Sequence, residues 1–319
     1  MKRGKRPPLE PLDLERVRTV PLGRRPSKVK RVALGQPVRA RRSLRRFLDG
    51  LPDFLGAADL KDAASRIAAA IRRGKPVVLG MGAHPIKVGL GPLIVDLIER
   101  ERLAGVAMNG ACLIHDYELA QSGHTSEDVG PGLDEGIFGM ARETGEFLNR
   151  ATRDGAGHGL GLGEAVGRAI EAAKIPGRRG SILAACARRG IPATVHVAIG
   201  TDIIHMHPSA DGAAIGETSM RDFRLLAALV GRLDGGVYVN LGSAVILPEV
   251  FVKALNLARN VGRRVRTITT VDMDFTRHYR PGVNVLRRPT ALGGRGIALT
   301  GHHEIMFPLL WSAVEEALA

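Results

Sequence analysis

Short apolar runs alternate along the chain with longer segments whose apolar residues recur at helical spacing. Runs such as 76–82 (PVVLGMG) and 236–242 (GVYVNLG) end in glycine turns, which is typical of strands buried on both faces of a sheet. Segment 60–74 combines alanine, helical periodicity and a terminal glycine, which indicates an amphipathic helix. The alternation predicts an α/β fold, a Rossmann-like, mostly parallel sheet with helices on both faces.

The apolar pattern also assigns the individual elements. Strands are predicted at 75–82, 103–110, 191–202, 235–244, 265–275 and 293–301. Helices are predicted at 60–74, 84–103, 114–121, about 138–150, 163–177, 181–190, 220–233, 248–262 and 304–318. Residues 44–56 are predicted to be a short amphipathic helix or turn, and the glycine-rich residues 130–163 an excursion from the alternating pattern.

Composition narrows the class of protein. Aromatic residues make up 4% of the chain and there are 40 glycines, a balance that suits tight turns and not an RNA-binding surface that stacks bases. The two cysteines, Cys112 and Cys186, are too few for a disulfide framework or a cysteine-based zinc site, which favours a reducing compartment. No apolar run reaches the length of about eighteen residues that a membrane span needs, so we expect a cytoplasmic protein.

The positive charge is concentrated at the N-terminus. Of the formal net charge of +14, residues 1–50 carry +12, from 16 basic and 4 acidic residues. The sequence therefore predicts a basic N-terminal arm at 1–50 and a single, nearly neutral α/β domain at 51–319. Such an arm could bind nucleic acid or an acidic surface, but we favour a solvated extension that lies on a neighbouring subunit.

Histidine and carboxylate side chains concentrate at the carboxyl ends of the predicted strands, which share one edge of a parallel sheet. Six of the ten histidines lie there: His84, His115, His205, His207, His302 and His303. Carboxylates near the same edge are Asp211, Glu217, Asp222, Asp272 and Asp274. Imidazoles titrate near neutral pH and suit proton transfer, whereas grouped carboxylates attract a cationic amine or cap helix N-termini.

Two glycine turns at this edge are candidates for phosphate binding. They are GMGAHP at 80–85 and NLGSA at 240–244, and each is predicted to lead into a helix. Backbone N–H groups at such a position can bind an anion. Neither turn is a full dinucleotide fingerprint or a Walker loop, and such a turn, taken alone, is more often a plain strand-to-helix connection.

Five segments between residues 60 and 319 agree in order and spacing with one known family. They are 76–119, 207–217 (HPSADGAAIGE), 236–257, 269–275 (TTVDMDF) and 288–318, which includes an FPLL run. The chain thereby resembles the deoxyhypusine synthase family. The resemblance implies a Rossmann-like fold that binds NAD, and a homotetramer with active sites at subunit interfaces. It also implies a transferase that oxidises the polyamine spermidine with NAD and passes its aminobutyl group, through an imine on an enzyme lysine, to a translation factor.

The resemblance implies roles for individual residues. Cofactor-binding positions would be Gly82, Ala83, His84, Asn109, Gly110, Asp116, Asp211, Gly242, Ser243, Ala244 and Asp272 or Asp274. Glu217 matches an acidic position at the amine.

The chain departs from this family where the nucleophilic lysine belongs. Residues 288–310 contain no lysine, and the nearest basic residue, Arg295, stays protonated and cannot form an imine. We therefore expect a protein that binds NAD and acts on an amine or polyamine-type substrate without a lysine imine. The catalytic candidates are His84, His115, His207, Glu217, His302 and His303.

Two alternatives stay open on the sequence. The chain could be a non-catalytic protein that binds NAD or a polyamine. It could instead be a metal-dependent hydrolase, with His205 and His207 completed by residues 302–304 as metal ligands. We expect no metal, because such histidines more often hydrogen-bond locally or to a ligand.

Overall fold

The fold is built on one sheet of six parallel strands in the order β3-β2-β1-β4-β5-β6. A computed structural model describes residues 34–37 and 43–319 together with Arg18 and Pro21. The strands are β1 (Val77–Met81), β2 (Gly105–Asn109), β3 (Ala193–His196), β4 (Val237–Leu241), β5 (Thr269–Asp274) and β6 (Arg295–Thr300). The predicted Rossmann-like sheet is confirmed, and its order is the one common to doubly wound dinucleotide-binding folds.

Helices cover both faces of this sheet. They are α1 (Leu44–Gly50), α2 (Leu55–Arg72), α3 (His84–Lys87), α4 (Gly91–Glu99), α5 (Gly110–Ser122), α6 (Val129–Asp134), α7 (Arg142–Gly157), α8 (Leu162–Ala172), α9 (Ile182–Arg189), α10 (Gly212–Val230), α11 (Ile246–Asn260), α12 (Tyr279–Pro281) and α13 (His303–Leu318). A π-helical turn, Gly282–Arg287, follows α12. The predicted arm lies largely outside the described residues, and its end forms α1.

The apolar strands supply two separate cores. Val77, Leu79 and Met81 of β1 pack into one cluster, while Val78 joins Tyr238 in the cluster on the other face. Both sets of side chains are buried because a parallel sheet is covered on both sides. Among the described residues, no helix is long and apolar enough to cross a membrane.

Three of the differences between predicted and observed element boundaries have a local physical cause. The helix predicted at 84–103 is divided into α3 and α4, because Gly89 adopts a φ of +82° and Pro92 lies in the first turn of a new helix. The strand predicted at 191–202 ends at His196, ahead of a turn at Gly200 with a φ of +89°. Helix α10 begins at Gly212, eight residues earlier than predicted, because Asp211 caps it.

The glycine-rich excursion belongs to the long connection from β2 to β3. It contains α6 and α7, and α7 packs against α5, α8 and α10. The helix predicted at about 138–150 is present as Arg142–Gly157. The excursion therefore carries an additional helical layer next to the carboxyl ends of β2 and β3.

Asp222 fastens this layer to the sheet. Its Oδ2 atom accepts hydrogen bonds from Val195 N–H at 2.7 Å and Gly163 N–H at 2.9 Å, so α10 is tied to β3 and α8. The side chain is fully buried. Burial raises the pKa of the Asp222 carboxyl to about 7, even though these hydrogen bonds favour the carboxylate.

Two substitutions at Asp222 distinguish the contribution of its hydrogen bonds to stability from the contribution of its charge. Asp222→Ala is expected to cost about 2–4 kcal/mol of unfolding free energy, because two buried N–H groups lose their acceptor. Asp222→Asn keeps the acceptor and cannot ionise. Because the raised pKa makes the wild type lose stability as pH rises from about 4 to about 7, the Asn variant should gain relative to wild type over that window. Thermal unfolding at several pH values checks this; a constant difference between wild type and Asn variant would contradict it.

Candidate functional site

The turns that follow β1 and β4 meet at the point where the strand order reverses. Gly82 N–H donates to the carbonyl of Leu241 at 3.0 Å. A Cβ atom on residue 82 would lie 2.3 Å from the carbonyl oxygen of Gly242, which itself has a φ of +61°. The two backbones therefore touch, and only glycine fits at position 82. In open α/β sheets this reversal point is where ligands bind.

Unpaired backbone donors surround this contact. The N–H groups of Ala83, Ser243, Ala244 and Val245 have no acceptor among the described residues. The last three precede the 15-residue helix α11, whose positive end faces the same turn. Converging N–H groups at a helix start are suited to an anion such as a phosphate. The predicted glycine turns thus carry donors that fit the pyrophosphate of a dinucleotide.

Four rings gather beside these turns and form what we term the imidazole cluster: His84, Phe275, His302 and His303. The His84 and His303 ring centroids are 5.3 Å apart, and Phe275 lies nearly parallel to His302 at 6.3 Å. His84 and His302 are exposed, Phe275 is 52% exposed and His303 is buried beneath them. The tips of β1, β5 and β6 therefore present one mixed aromatic and imidazole surface.

Residues of β5 beneath this surface hold the His303 ring in place. Its Nε2 atom lies 3.3 Å from the carbonyl of Met273 and 3.7 Å from Asp274 Oδ1. Desolvation lowers the pKa of His303 despite the nearby carboxylate, so the neutral ring is favoured. The ring also contacts the Cα side of Gly242, where a Cβ atom would lie 3.0 Å from Nε2. His303 thereby connects the β4 turn to the start of α13.

The two β5 carboxylates lie below the cleft. Asp272 Oδ1 accepts from Asn240 Nδ2 at 2.7 Å, and Asn240 also donates to the carbonyl of Ser243 at 2.9 Å. Burial raises the pKa of Asp272 to about 6. Asp274 accepts from the N–H of Phe275 at 2.8 Å. Both side chains are buried, and these hydrogen bonds connect them to the β4 turn and to Phe275. The ribose-binding role implied by the family resemblance stays a prediction.

Two other predicted cofactor carboxylates are helix caps. Asp116 accepts from Ser181 Oγ at 2.6 Å and from the N–H groups of Ile182 and Leu183, at the start of α9. Asp211 accepts from two N–H groups in the first turn of α10. Neither carboxylate faces the reversal point, because each is taken up by orphan donors of a helix N-terminus. Asn109 likewise caps α5, which begins at Gly110.

His207 and Glu217 also lie away from the imidazole cluster. The Nε2 atom of His207 hydrogen-bonds the carbonyl of Gly139 at 2.8 Å, and its ring packs against Gly145. It therefore joins the excursion to the segment after β3. Glu217 is on the exposed side of α10, 3.9 Å from Arg221. The catalytic roles expected of His207 and Glu217 stay predictions.

The metal alternative has no geometric support. Within residues 43–319, no group of three or more His, Cys, Asp or Glu side chains is placed to share a metal ion. His205 accepts from Gly200 N–H at 3.2 Å, whereas His207 faces the excursion. Neither joins His302 and Glu304, which lie 3.9 Å from each other at the start of α13.

His115 belongs to a second feature, a cavity of about 640 Å³ between α5, the segment 122–141 and the turn after β3. Sequence reasoning placed His115 near the edge but missed its neighbours Glu118, Thr125 and Asp202. His115 and Glu118 are three residues apart in a helix and therefore share one of its faces, so their spacing could have indicated from the sequence that they are neighbours. Thr125 and Asp202 come from separate loops, and only the fold brings them to α5.

Solved structures share this fold at low sequence identity. A LOR/SDH-type protein of Methanococcus maripaludis S2 is 17% identical with a TM-score of 0.53, covering 92% of this chain and 76% of its own. AgrE, in its ternary complex with ornithine and NAD+, is 16% identical with a TM-score of 0.53, covering 81% of this chain and 33% of AgrE. A protein of Entamoeba histolytica assigned as a deoxyhypusine synthase is 12% identical with a TM-score of 0.51, covering 88% and 96%.

These similarities establish the fold and nothing finer. No protein-family model matches the sequence, and no curated protein is significantly similar to it. The chain spans about a third of the length of AgrE, 33%. The relation to the deoxyhypusine synthase family is therefore one of fold.

The contact between the two glycine turns can be tested directly. Gly82→Ala is expected to lower the unfolding free energy by about 1–3 kcal/mol, because its Cβ atom would overlap a backbone carbonyl that cannot move away freely. Gly216→Ala in α10 is the matched control, since a Cβ atom there meets nothing within 4 Å. Thermal denaturation compares the two. Equal stability of both variants would show that the turns are not in contact.

Proposed function

We propose that the chain binds NAD at the reversal point between β1 and β4 and oxidises a small amine there. The unpaired N–H groups of Ala83, Ser243, Ala244 and Val245, beside two touching glycine turns, carry this proposal. The sheet order supports it, because dinucleotides bind at this point in such sheets. AgrE, of which this chain matches 33%, was solved in a complex with NAD+ and ornithine, an amine.

The residues present fit a dinucleotide in named roles. The four N–H groups would hold its phosphates, and the exposed faces of Phe275 and His84 would lie against its flat rings. When bound, NAD supplies a hydride acceptor for a carbon next to nitrogen. His84 and His302 are exposed imidazoles at the same surface, so a bound substrate could contact them.

Transfer of a group through a lysine imine is not part of this proposal. The segment from β6 to the end of α13 has no lysine. Arg295 lies at the start of β6, at the opposite edge of the sheet, and its Nε donates to Asp62 at 2.9 Å. Lys253 is on the exposed side of α11, paired with Glu249. A homotetramer and a cytoplasmic location stay predictions.

Binding of NAD is expected to stabilise the fold. At NAD concentrations about 100-fold above Kd the gain is about 2.7 kcal/mol, or a rise in Tm of roughly 4 °C. Phe275→Ala should weaken binding about three- to tenfold through loss of ring stacking. Tyr279→Ala, an exposed aromatic just beyond β5 and outside the cluster, is the control. No shift in Tm with millimolar NAD would refute the cofactor assignment.

The missing lysine gives a second expectation. Protein incubated with spermidine and NAD and then treated with borohydride should carry no substrate mass on any lysine, since no lysine lies at the β6 tip. Peptide mass spectrometry reads this out. Formation of NADH in the same mixture would distinguish an enzyme from a protein that only binds NAD, and a modified lysine peptide would overturn the proposed chemistry.

A further inference from the structure

The amino-terminal ends of the strands form the edge of the sheet opposite the reversal point, roughly 17 Å away along a five-residue strand. The connections that lead into β1, β4 and β5 place six exposed cationic side chains at this edge, and we term the set the basic edge. It consists of Arg73, Lys75, Arg232, Arg263, Arg264 and Arg266. Because these three strands are neighbours in the sheet, residues that are far apart in the chain come to one surface.

Packing contacts join the three connections. Arg263 lies against Gly231, where a Cβ atom would be 3.1 Å from the arginine Cγ atom. Gly231 directly precedes Arg232, so cations of the β4 and β5 connections are adjacent. Lys75, ahead of β1, lies against Gly235, where a Cβ atom would be 3.5 Å from the lysine Cε atom. The basic edge is therefore one continuous surface.

A hollow of about 460 Å³ lies within this surface, between α2 and the starts of β4 and β5. Arg73 and Lys75 line it, together with the hydroxyl-bearing residues Ser65 and Thr269. Guanidinium, ammonium and hydroxyl groups are the hydrogen-bond donors that proteins use to bind phosphate oxygens. The shape and the donors of the hollow thus fit a phosphate group.

One carboxylate lies within the basic edge, and its hydrogen bonds are to neighbouring residues. Asp234 Oδ1 accepts from the N–H groups of Arg266 and Thr267, each at 2.8 Å, and from the Thr267 hydroxyl at 3.0 Å. The backbone hydrogen bonds lower the pKa of Asp234, so it is ionised at neutral pH. The six cations and Asp234 give a formal charge of 6 − 1 = +5. The carbonyl ends of α2, α10 and α11 each offset about half a charge, which leaves about +3.5.

The other half of the same sheet edge has paired cations. Four arginines precede β2 and β3, and each forms an ion pair with a glutamate; they are Arg100, Arg102, Arg188 and Arg189. None of the six cations of the basic edge forms an ion pair with a carboxylate among the described residues. Helices end at both halves, so favourable helix dipoles do not explain why one half lacks carboxylates.

The basic N-terminal segment joins the fold at the same end. Residues 1–43 contain 14 basic and 3 acidic side chains, a net of 14 − 3 = +11. Leu44, the first residue of α1, lines a cavity with Glu315 of α13, and Arg72 at the end of α2 donates to the Ala317 carbonyl at 2.5 Å. The start of α1 is therefore near the end of α2, which leads into the basic edge. The segment and the edge together carry 11 + 5 = +16, so the remainder of the chain carries 14 − 16 = −2.

We propose that the basic edge is a docking surface for the phosphate backbone of duplex DNA, which it contacts without reading the base sequence. Five of the six cations are arginines, whose guanidinium groups bind phosphate through two parallel hydrogen bonds. A duplex presents closely spaced phosphates, and contacts to them position a protein without depending on sequence. This inference does not rest on the proposed function, because the reversal point is at the opposite edge of the sheet.

The residues of the basic edge distinguish duplex DNA from other polyanions. The connections 72–76, 231–236 and 262–268 contain no aromatic residue. They therefore lack the stacking surface that single strands use and the aromatic anchors that are typical of membrane surfaces. Preference for RNA depends on contacts to the 2′-hydroxyl, and the one carboxylate of this edge, Asp234, already accepts three hydrogen bonds from neighbouring residues.

Fluorescence anisotropy on the full chain, with a labelled DNA duplex of about 20 base pairs, tests the docking surface. Six or more phosphate contacts should weaken binding about 1000-fold between about 50 and about 200 mM salt. A triple variant, Arg263→Gln, Arg264→Gln and Arg266→Gln, should bind at least about tenfold more weakly at about 50 mM salt, with a salt slope smaller by about 3. Glutamine keeps the Cγ atom that packs against Gly231, so the fold should be retained.

The matched control removes the same charge elsewhere. It replaces three exposed arginines outside the basic edge with glutamine: Arg142, Arg179 and Arg221. The control should bind DNA within about twofold of wild type, because exposed charges more than about 10 Å away are screened. Equal loss of affinity in both triple variants would show that net charge alone decides binding, and it would overturn the docking surface. DNA binding by the edge variant that matches wild type would overturn it as well.

Two further ligands test the choice of partner. Duplex RNA of the same sequence should bind with an affinity similar to that of DNA, and binding more than about tenfold tighter would overturn the assignment to DNA. Vesicles of phosphatidylserine and phosphatidylcholine represent an anionic membrane. Vesicle binding that depends on the edge arginines, in a wild type that does not bind duplex DNA, would assign the surface to a membrane and refute the proposal.

Discussion

The backbone contact between the turns after β1 and β4 is the constraint on which the candidate site depends. Adjacent strands lie about 4.8 Å apart, so two turns that leave them side by side must pack without side chains between them. Gly82 and Gly242 meet this requirement, with Gly82 N–H bonded to the Leu241 carbonyl. The N–H groups in these turns that have no acceptor among the described residues belong to residues next to this contact. The donor set of the proposed dinucleotide site is a consequence of that packing.

Backbone N–H groups hold several aspartates in this fold. Asp222, Asp116 and Asp211 each accept hydrogen bonds from backbone N–H groups, so they stabilise junctions between elements. Two buried aspartates also have an oxygen without a hydrogen-bond partner among the described residues, Oδ1 of Asp222 and Oδ2 of Asp202. Residue type does not reveal these partners, because they depend on which N–H groups the fold brings to each carboxylate.

The excursion between β2 and β3 gives the fold a second pocket. His207 bonds the Gly139 carbonyl and thereby holds the excursion against the segment after β3. This closes a space lined by α5 on one side and Asp202 on the other. The glycine-rich composition of the excursion permits the close approach, as at Gly145 against the His207 ring.

The sequence by itself determined the α/β class, the parallel sheet, the sheet edge at which His84, His302 and His303 lie and the absence of a lysine after β6. These follow from local signals: apolar runs, helical periodicity, terminal glycines and residue identity. Only the tertiary structure decided that His84, His302 and His303 form one cluster while His115, His207 and Glu217 do not join it. Strand order is set by packing among distant segments, and it places the tip of β6 within reach of β1 across β4 and β5. Local sequence carries no record of those distances, so the partners of a side chain had to come from the fold.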